Sequence, residues 1–366
     1  MQGTPRLEKT DGSFPPLQLL LLPNRDKDNF MSLLPDSVCL SALSIPGTHE
    51  TFARYGWPIA QCQEVTSTIR AQLEDGIRFM DFRVTPKGRK GKERLLAYHG
   101  LTAERIELGA ALQQVYDFLK DERSRRETVI ISIKQEKGDR QLMKRLLFDL
   151  YVRPNEDKWF LSPKIPTLGE ARGKIVMFSR FGESNEDRVG GIHPPIWPNN
   201  EKGVWEYTLP LSGQKVKTQD WFNIGSSSNI PVKFDLASQL LDEAGADPDV
   251  FALDFISGAT FPRATPPVVA KGWWETGPKC IGIEGMNRRM VDLIAGKLMQ
   301  TSGESEKEHV QGARRTAAQP GLQACYAIDF YGYENAASLI PLLIEANFTE
   351  EMVAARRAED KAIECV

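Results

Sequence analysis

Short apolar runs alternate with longer, more polar segments along most of the chain, and this alternation predicts an α/β protein. Eight of the runs have the length and composition of strands: Leu40–Ile45, Ile77–Val84, Leu95–His99, Val129–Lys134, Lys174–Ser179, Val250–Phe255, Cys280–Glu284 and Ala324–Phe330. Eight parallel strands are the number that closes a barrel. The pattern therefore predicts a distorted TIM (β/α)8 barrel.

Between several of these runs, apolar residues recur at the three- and four-residue spacing of helices that bury one face. The fullest stripe precedes the fourth predicted strand and consists of Leu108, Ala111, Leu112, Val115, Phe118 and Leu119. A second stripe precedes the last predicted strand and consists of Met290, Leu293, Ile294 and Leu298. Helices in these places are what a βα repeat requires.

The units follow one another without a domain linker, so we expect one domain. Residues 1–33 form an N-terminal extension, residues 34–348 form the barrel, and residues 349–366 form a C-terminal helix in this interpretation. Two stretches, 182–229 and 301–321, lack strand or helix periodicity and are predicted to be elaborated loops. No internal repeat of solenoid length is present in the sequence.

Composition narrows the class of protein. The chain has 366 residues, of which 41% are apolar and 26% charged, and a formal net charge of −3, which gives no overall attraction to nucleic acid or to an anionic membrane. The five cysteines are scattered, odd in number and without a CxxC pair, which argues against a disulfide framework or a zinc site. Such cysteine usage favours a reducing compartment.

The chain shows no recognisable export or membrane-spanning segment. The apolar run Leu17–Leu22 is shorter than a signal-peptide core, and no run reaches the roughly 18 apolar residues that a bilayer span requires. We therefore expect a cytoplasmic or peripheral membrane location, with secretion by a less obvious route left open.

Two of the four histidines come at the ends of predicted strands. His49 follows the first strand and His99 ends the third, and active sites of (β/α) barrels are assembled at these carboxyl ends. Either histidine alone is better explained as a surface or turn residue bonded to the backbone, but the pair predicts acid–base chemistry near neutral pH. His193 and His309 lie in predicted loops and are interpreted as structural.

Cationic side chains come to the same strand ends. Asp81 and Arg83 share one face of the second strand, because side chains alternate with a period of two, while Lys134 and Arg180 end the fourth and fifth strands. This concentration of positive charge predicts an anionic substrate, and phosphate fits best. Neither a P-loop nor a dinucleotide-binding glycine pattern occurs, which argues against a nucleotide. For Asp81, a structural ion pair inside the barrel remains the alternative.

The last predicted strand adds a carboxylate to this group. Asp329 comes near its end, and the first and last strands of a closed barrel are neighbours. We therefore expect Asp329 to orient His49, which follows the first strand.

Five short motifs in one order resemble the X domain of bacterial-type phosphatidylinositol-specific phospholipase C. They are Ser44–Glu50, Phe79–Val84, Tyr98–Gly100, Glu127–Glu136 and Ala171–Val176, and the likeness extends from about Leu34 to Phe348. The resemblance implies a barrel enzyme that cleaves phosphatidylinositol to diacylglycerol and inositol 1,2-cyclic phosphate without a metal or other cofactor. It also implies contact with a lipid surface, no nucleic-acid partner and a monomer.

Roles for individual residues follow from the resemblance. It implies that His49 is the general base for the inositol 2-hydroxyl, that Asp329 orients it, and that Arg83 activates the phosphate. It further implies that His99 is the general acid for the leaving diacylglycerol oxygen. Contacts to the inositol ring are implied for Lys134, Arg180 and Asp220.

The chain departs from the family pattern at two positions. Glu50 replaces the aspartate that follows the first histidine, which puts the rate in question but not the reaction type. Phe222 stands near Asp220 where the family has a tyrosine that stacks on inositol, so the preference among inositol lipids stays open. Trp57 and Phe261 resemble aromatic residues that enter the membrane interface, although local packing of either ring is an equal alternative.

Two other functions remain open at this stage. One is a metal-dependent barrel phosphodiesterase of the glycerophosphodiester or sphingomyelinase D kind, which would need carboxylate ligands around its histidines. The expectation that no metal is bound rests on Arg83 and Lys134, since cations in these positions disfavour a divalent ion. The other is a lipid-binding scaffold without catalysis.

Overall fold

The computed structural model describes residues 20–181, 190–273, 282–304 and 316–364. Its strands are β1 Ser44–Thr48, β2 Phe79–Lys87, β3 Arg94–His99, β4 Thr102–Glu107, β5 Val129–Gln135, β6 Trp159–Phe160, β7 Ile175–Arg180, β8 Val204–Thr208, β9 Lys215–Gln219, β10 Phe251–Phe255, β11 Gly272–Trp273, β12 Ile283–Glu284 and β13 Ala324–Ile328. Its helices are α1 Ile69–Glu74, α2 Leu108–Lys120, α3 Arg140–Leu146, α4 Leu168–Ala171, α5 Ile230–Gly245, α6 Pro266–Lys271, α7 Met286–Glu304, α8 Leu339–Glu345 and α9 Glu350–Glu364.

A curved parallel sheet forms the centre of the molecule. Its strands follow the order β6-β7-β5-β2-β1-β13-β10-β9, all parallel, and β8 pairs antiparallel with β9 at one edge. Within the described residues no ladder joins β6 to β9, so the barrel is open there. The rings of Phe178 on β7 and Phe251 on β10 stack at 6.4 Å, and since these strands are not neighbours, the contact crosses the barrel interior. The predicted α/β architecture is confirmed as a TIM-like barrel that does not close.

Two of the predicted barrel strands are wrong. Leu95–His99 lies in β3, which pairs antiparallel with β2 and leads away from the barrel in a hairpin. Its apolar residues are buried because the hairpin packs against α2 and Tyr151, whose hydroxyl accepts a hydrogen bond from the backbone of Leu95. Of Cys280–Glu284, only the last residues are described, and Ile283–Glu284 pairs with Gly272–Trp273 in a separate ribbon.

Two barrel strands were missed because their own sequences contain no apolar run of strand length. β6 is only two residues long, and β9 has the sequence Lys-Val-Lys-Thr-Gln, which lacks an apolar run because one of its faces meets polar side chains. β9 and its partner β8 lie inside 182–229, so that stretch is not a loop throughout, although 182–189 falls outside the described residues. In 301–321, α7 continues to Glu304, and 305–315 is likewise outside them.

The core surrounds this sheet as one contiguous cluster of buried apolar side chains. The predicted stripe of α2 is buried along its whole length. Phe30 and Met31 also lie in the cluster, so part of the predicted extension packs on the barrel. Beneath them the fully buried Arg78 and Glu127 form a 2.8 Å ion pair at the amino ends of β2 and β5, opposite the mouth. Two buried charges are tolerated there because each neutralises the other.

Candidate active site

The site lies at the carboxyl ends of the parallel strands. His49 and Glu50 follow β1, Asp329 follows β13, and Asp220 follows β9. Arg83 lies at the middle of the long strand β2, and Lys134 and Arg180 lie at the ends of β5 and β7. The three are register partners in the sheet: Arg83 is opposite Lys134, and Lys134 is opposite Arg180. His99 reaches the same place from the end of the β3 hairpin. All of the sequence-predicted polar site residues therefore meet at one mouth.

The imidazole of His49 is held from both sides. Its Nδ1 lies 2.8 Å from Asp329 Oδ1, and its Nε2 lies 2.8 Å from an NH2 nitrogen of Arg83. A guanidinium can only donate, so Nε2 must be the acceptor and the ring proton must sit on Nδ1, where it is donated to Asp329. The adjacency of β1 and β13, with Thr48 opposite Ile328, brings this carboxylate to the histidine as predicted.

The second histidine faces the same guanidinium through a carboxylate. NH1 of Arg83 pairs with Glu50 Oε1, and that oxygen lies 3.5 Å from His99 Nε2. His99 Nδ1 donates to the carbonyl of Ala60 at 2.7 Å, which turns Nε2 toward the cavity. The two Nε2 atoms thus converge on one Arg83–Glu50 pair.

Burial and charge set the protonation of these groups. Burial and the neighbouring Arg83 lower the pKa of His49 well below its usual 6.5, so the ring is neutral near neutral pH. Burial also raises the pKa of Glu50 and of Asp329. A neutral imidazole carries its basic lone pair on Nε2, and this is the form that can accept a proton.

Asp81 forms ion pairs with two arginines at the base of the site. Its fully buried carboxylate lies 3.1 Å from Arg83 Nε and 3.4 Å from Arg180 NH1, and it accepts a hydrogen bond from Ser132. Burial alone would raise the pKa of Asp81, but the two guanidinium groups hold it below its ordinary value. The alternative raised for Asp81, a structural ion pair, agrees with this geometry, and the pair fixes both arginines on the floor of the cavity.

The far wall of the cavity is formed by Arg180, Lys134, Asp220 and Trp197, and it combines cations with an aromatic ring. Arg180 lies 3.6 Å from Asp220 and stacks 3.7 Å above the ring centroid of Trp197. Trp197 Nε1 in turn donates to Asp220 at 3.0 Å. Lys134 stands beside them, and Arg83 together with burial lowers its pKa to about 8. This wall offers charged and polar groups to a hydroxylated ring.

Trp197 and Cys62 belong to the site but were not found by sequence reasoning. Trp197 lies in the stretch interpreted as a loop, where only its aromatic character was a signal. Cys62 is buried behind the two histidines, 3.9 Å from His99 Nδ1. His193 is held by the carbonyl of Ser179, in keeping with a structural role, and His309 lies outside the described residues.

Three possible metal-ligating atoms, from His49, Cys62 and Asp329, lie within 4.8 Å of one another. Burial raises the pKa of Cys62 well above that of a free thiol, so the group is a thiol, and thiolate is the form that binds metals. His49 and Asp329 are already bonded to each other. This donor set therefore suits a hydrogen-bond network better than a cation.

The rim of the mouth carries exposed apolar side chains. Trp57 and Phe261 are each 64% exposed, so most of each side chain faces solvent. Leu101, in the turn after His99, is 88% exposed, and Ile59 is also exposed beside Trp57. Phe222 is 41% exposed at the end of β9. In the part of the chain that the structure describes, no helix combines the length and apolar character needed to cross a bilayer.

Fold and site together define the class: a TIM-like barrel in which two histidines converge on one fixed arginine at the mouth. Residues 43–181 match the family model for the X domain of phosphatidylinositol-specific phospholipase C, which confirms the resemblance seen in the sequence.

Individual relatives agree with this assignment. A 1-phosphatidylinositol phosphodiesterase of Listeria monocytogenes is 36% identical over 167 residues, which are 41% of this chain and 48% of the relative. One of Staphylococcus aureus is 26% identical over 174 residues, 43% of this chain and 53% of the relative. The matched segment thus spans about half the length of these curated relatives.

Solved structures extend the likeness in fold to most of the chain. A phosphatidylinositol-specific phospholipase C from Listeria monocytogenes superposes with a TM-score of 0.62 at 23% identity, covering 89% of this chain and 100% of the other. One from Staphylococcus aureus gives 0.66 at 19% identity, covering 88% and 98%. At these identities the superpositions establish the fold.

Proposed function

We propose that this protein is a phosphatidylinositol-specific phospholipase C that cleaves its lipid to diacylglycerol and inositol 1,2-cyclic phosphate without a metal. The observation that carries the proposal is the convergence of His49 Nε2 and His99 Nε2 on the Arg83–Glu50 pair. The names of the curated relatives, 1-phosphatidylinositol phosphodiesterase, support the same substrate class.

His49 is the general base in this mechanism. Its Nε2 takes the proton of the inositol 2-hydroxyl as that oxygen attacks phosphorus, and the resulting imidazolium is stabilised by Asp329 at Nδ1. The low pKa of His49 keeps the base unprotonated before substrate binds. Proton transfer of this kind contributes about 10²- to 10⁴-fold to the rate.

Arg83 and Lys134 stabilise the negative charge that grows on the phosphoryl oxygens. Arg83 is anchored by Asp81 and Glu50, so only a small rotation brings its donors to the phosphate. Fixed cations in these positions supply the charge stabilisation that a metal gives in other phosphodiesterases.

His99 is the general acid that protonates the diacylglycerol oxygen. Its Nε2 faces the cavity and lies 3.5 Å from the Glu50 carboxylate, while its Nδ1 is held by the carbonyl of Ala60. Hydrolysis of the cyclic ester then uses the same two histidines with their roles exchanged, as microscopic reversibility requires.

The inositol ring fits the far wall in this proposal. Arg180, Asp220 and Lys134 provide hydrogen-bonding partners for its hydroxyls, and Phe222 offers an aromatic face without a hydroxyl. We add Trp197 to this group, because it orients both Arg180 and Asp220.

The lipid reaches the mouth from a membrane surface. Trp57 and Phe261 insert into the interface, assisted by Ile59 and Leu101, since exposed apolar side chains around a cavity are typical of membrane-docking sites. The loop with Trp57 is tied to the site, because the carbonyl of Ala60 holds His99. The protein acts as a monomer in peripheral contact with the membrane, and no nucleic acid is involved.

A ³¹P NMR time course tests the proposal. Wild-type protein with phosphatidylinositol in detergent should give the resonance of a five-membered cyclic phosphate first, and His49→Ala and His99→Ala should each abolish it. Full activity in EDTA is expected. Loss of activity in EDTA would favour the metal-dependent class, and a wild-type rate no higher than that of either variant would favour the scaffold.

A further inference from the structure

Cys62 occupies a fixed position between the two acid–base groups. It lies in the segment between β1 and α1 and is buried. Its backbone N–H donates to the carbonyl of Ala53, and its carbonyl accepts from the N–H of Phe330, both at 2.8 Å. The next residue, Gln63, donates from its side chain to the carbonyls of His49 and Ile328, each at 2.8 Å. The segment is therefore clamped across the carboxyl ends of β1 and β13.

The thiol lies near both catalytic pairs, and its Sγ is 3.9 Å from the carbonyl oxygen of Ala60. Its Sγ lies 3.9 Å from His99 Nδ1 on one side and within 4.8 Å of the ligating atoms of His49 and Asp329 on the other. Asp329 uses Oδ1 for His49, whereas its buried Oδ2 has no hydrogen-bonding partner among the described residues. A buried carboxylate oxygen without a donor is costly. The thiol is the neighbouring group that can supply one.

The charges around Cys62 determine that its thiol is a hydrogen-bond donor toward Asp329. Burial is the largest cause that raises the pKa of Cys62, and the negative charges of Asp329 and Glu50 raise it further, so the thiol keeps its proton. An S–H is a weak donor, and a hydrogen bond from it to Asp329 would act to lower the pKa of that carboxyl against the larger, raising effect of burial. The sulfur lone pairs are then left facing His99 Nδ1.

We propose that Cys62 is a positioning residue, whose thiol donates to Asp329 Oδ2 and packs against His99 Nδ1, so that one side chain orients both the base and the acid. The inference rests on the proposed function, because it assigns Cys62 a role in that reaction. Asp329 acts on His49, and Cys62 acts through Asp329.

Three variants test this role. Cys62→Ala removes the donor, and Cys62→Ser keeps a donor of similar size. Cys39→Ala serves as the matched control, since the hydrogen bonds of that half-buried thiol go to the backbone carbonyls of residues 165 and 166, away from the site. The measurement is kcat/KM from pH 4.5 to 9 on a soluble inositol phosphodiester, with the melting temperature as a check on folding.

We expect Cys62→Ala to lower kcat/KM by about 3- to 10-fold, the range of one hydrogen bond, and to move the acid limb of the profile to higher pH. The limb moves up because Asp329 without its donor is harder to ionise. The other charged groups around Asp329, namely His49, Glu50, Arg83 and Lys233, are the same in every variant. Cys62→Ser should keep the wild-type limb, and Cys39→Ala should match the wild type throughout.

A loss that is uniform across pH, or a Cys62→Ser profile equal to that of Cys62→Ala, would overturn the positioning role. An NMR titration of the His49 ring in wild type and Cys62→Ala separates this outcome from failure of the proposed function, because it needs no turnover. A shifted titration supports the coupling even if the chosen substrate is not cleaved, and identical titrations refute it even if the enzyme is active.

Discussion

Replacement of Arg83 by lysine or alanine separates the geometry of the site from its charge. The three nitrogens of the guanidinium contact three different groups: Nε lies 3.1 Å from Asp81, NH1 pairs with Glu50, and NH2 lies 2.8 Å from His49 Nε2. A lysine ammonium is a single point on a flexible chain and cannot meet all three. Arg83→Lys therefore keeps a positive charge at the site and loses most of its orientation.

The expected loss of activity follows from the loss of these three contacts. Removing one well-placed donor to a developing oxyanion costs about 10²- to 10³-fold in kcat. We expect Arg83→Lys to fall in that range while remaining folded, because Asp81 keeps Arg180 as a partner. Arg83→Ala should lose at least as much activity. It should also lose about 3–5 kcal/mol of unfolding free energy, since buried Glu50 loses its ion pair.

The pH dependence distinguishes the two variants. Burial is the larger cause of the low pKa of His49, and Arg83 is the second. The acid limb of kcat/KM reports this group in the free enzyme. Removing the positive charge raises the pKa of His49, so Arg83→Ala should move the acid limb to higher pH, whereas Arg83→Lys should leave it nearly in place.

The assay is kcat/KM between pH 4.5 and 9 on a soluble inositol phosphodiester, with urea unfolding to measure stability. Arg89→Lys is the control, because that exposed residue lies in the turn after β2, away from the described contacts of the site. A rate for Arg83→Lys within about threefold of wild type would refute the orienting role. An unmoved limb in Arg83→Ala would refute the electrostatic account of His49.

Three further predictions follow from the site and its rim. Asp329→Asn should lower kcat by about 10⁴-fold with little change in fold, because an amide cannot stabilise the His49 imidazolium, and pre-steady-state kinetics should place the loss in the chemical step. Trp57→Ala with Phe261→Ala should weaken binding to phosphatidylinositol vesicles at least 10-fold and leave turnover of a soluble substrate within about twofold. Glu104→Gln should flatten the pH dependence of stability. Burial raises the pKa of Glu104 from 4.5 to about 7, so the folded protein binds this proton more tightly than the unfolded chain does. The resulting stabilisation is complete below pH 4.5 and is lost as the pH rises through 7. Thermal unfolding of both proteins at several pH values measures that difference.

The last two experiments have specific controls. Leu211 is 62% exposed in the turn between β8 and β9, at the end of the barrel opposite the mouth. Leu211→Ala should leave vesicle binding unchanged, and an equal loss in this variant would contradict the docking surface. For Glu104, parallel stability curves of wild type and variant across pH would contradict the assignment.

The sequence was sufficient to predict the polar site because strand ends are local features. His49, Arg83, Lys134, Arg180 and Asp329 each end or follow an apolar run, and parallel strands bring such ends together whatever the order of the runs. The predicted set of site residues was therefore correct although one predicted barrel strand was not. β3 lies outside the barrel but still carries His99 to the mouth.

Contacts made by loops could not be predicted in this way. Trp197 and Cys62 lie in segments without periodicity, and their positions depend on backbone hydrogen bonds to distant residues, such as that between Cys62 and Phe330. β9 was missed for a related reason: its alternating lysines form ion pairs with Glu206 and Glu243 instead of packing in the core, so no apolar run marks it.

The bond between Arg83 and His49 has a consequence for the order of events at the site. In the unliganded protein an Arg83 NH2 group donates to the Nε2 lone pair, which is the lone pair that must accept the substrate proton. A phosphate is a stronger acceptor for a guanidinium than a neutral imidazole is, because it carries charge and can bind two donors at once. Substrate binding should therefore draw the guanidinium toward phosphorus and release the base. Since Asp81 holds Nε, the arginine needs only a small rotation to do this. The base would then be freed only when a phosphodiester occupies the mouth, which links general-base catalysis to correct placement of the reacting atom.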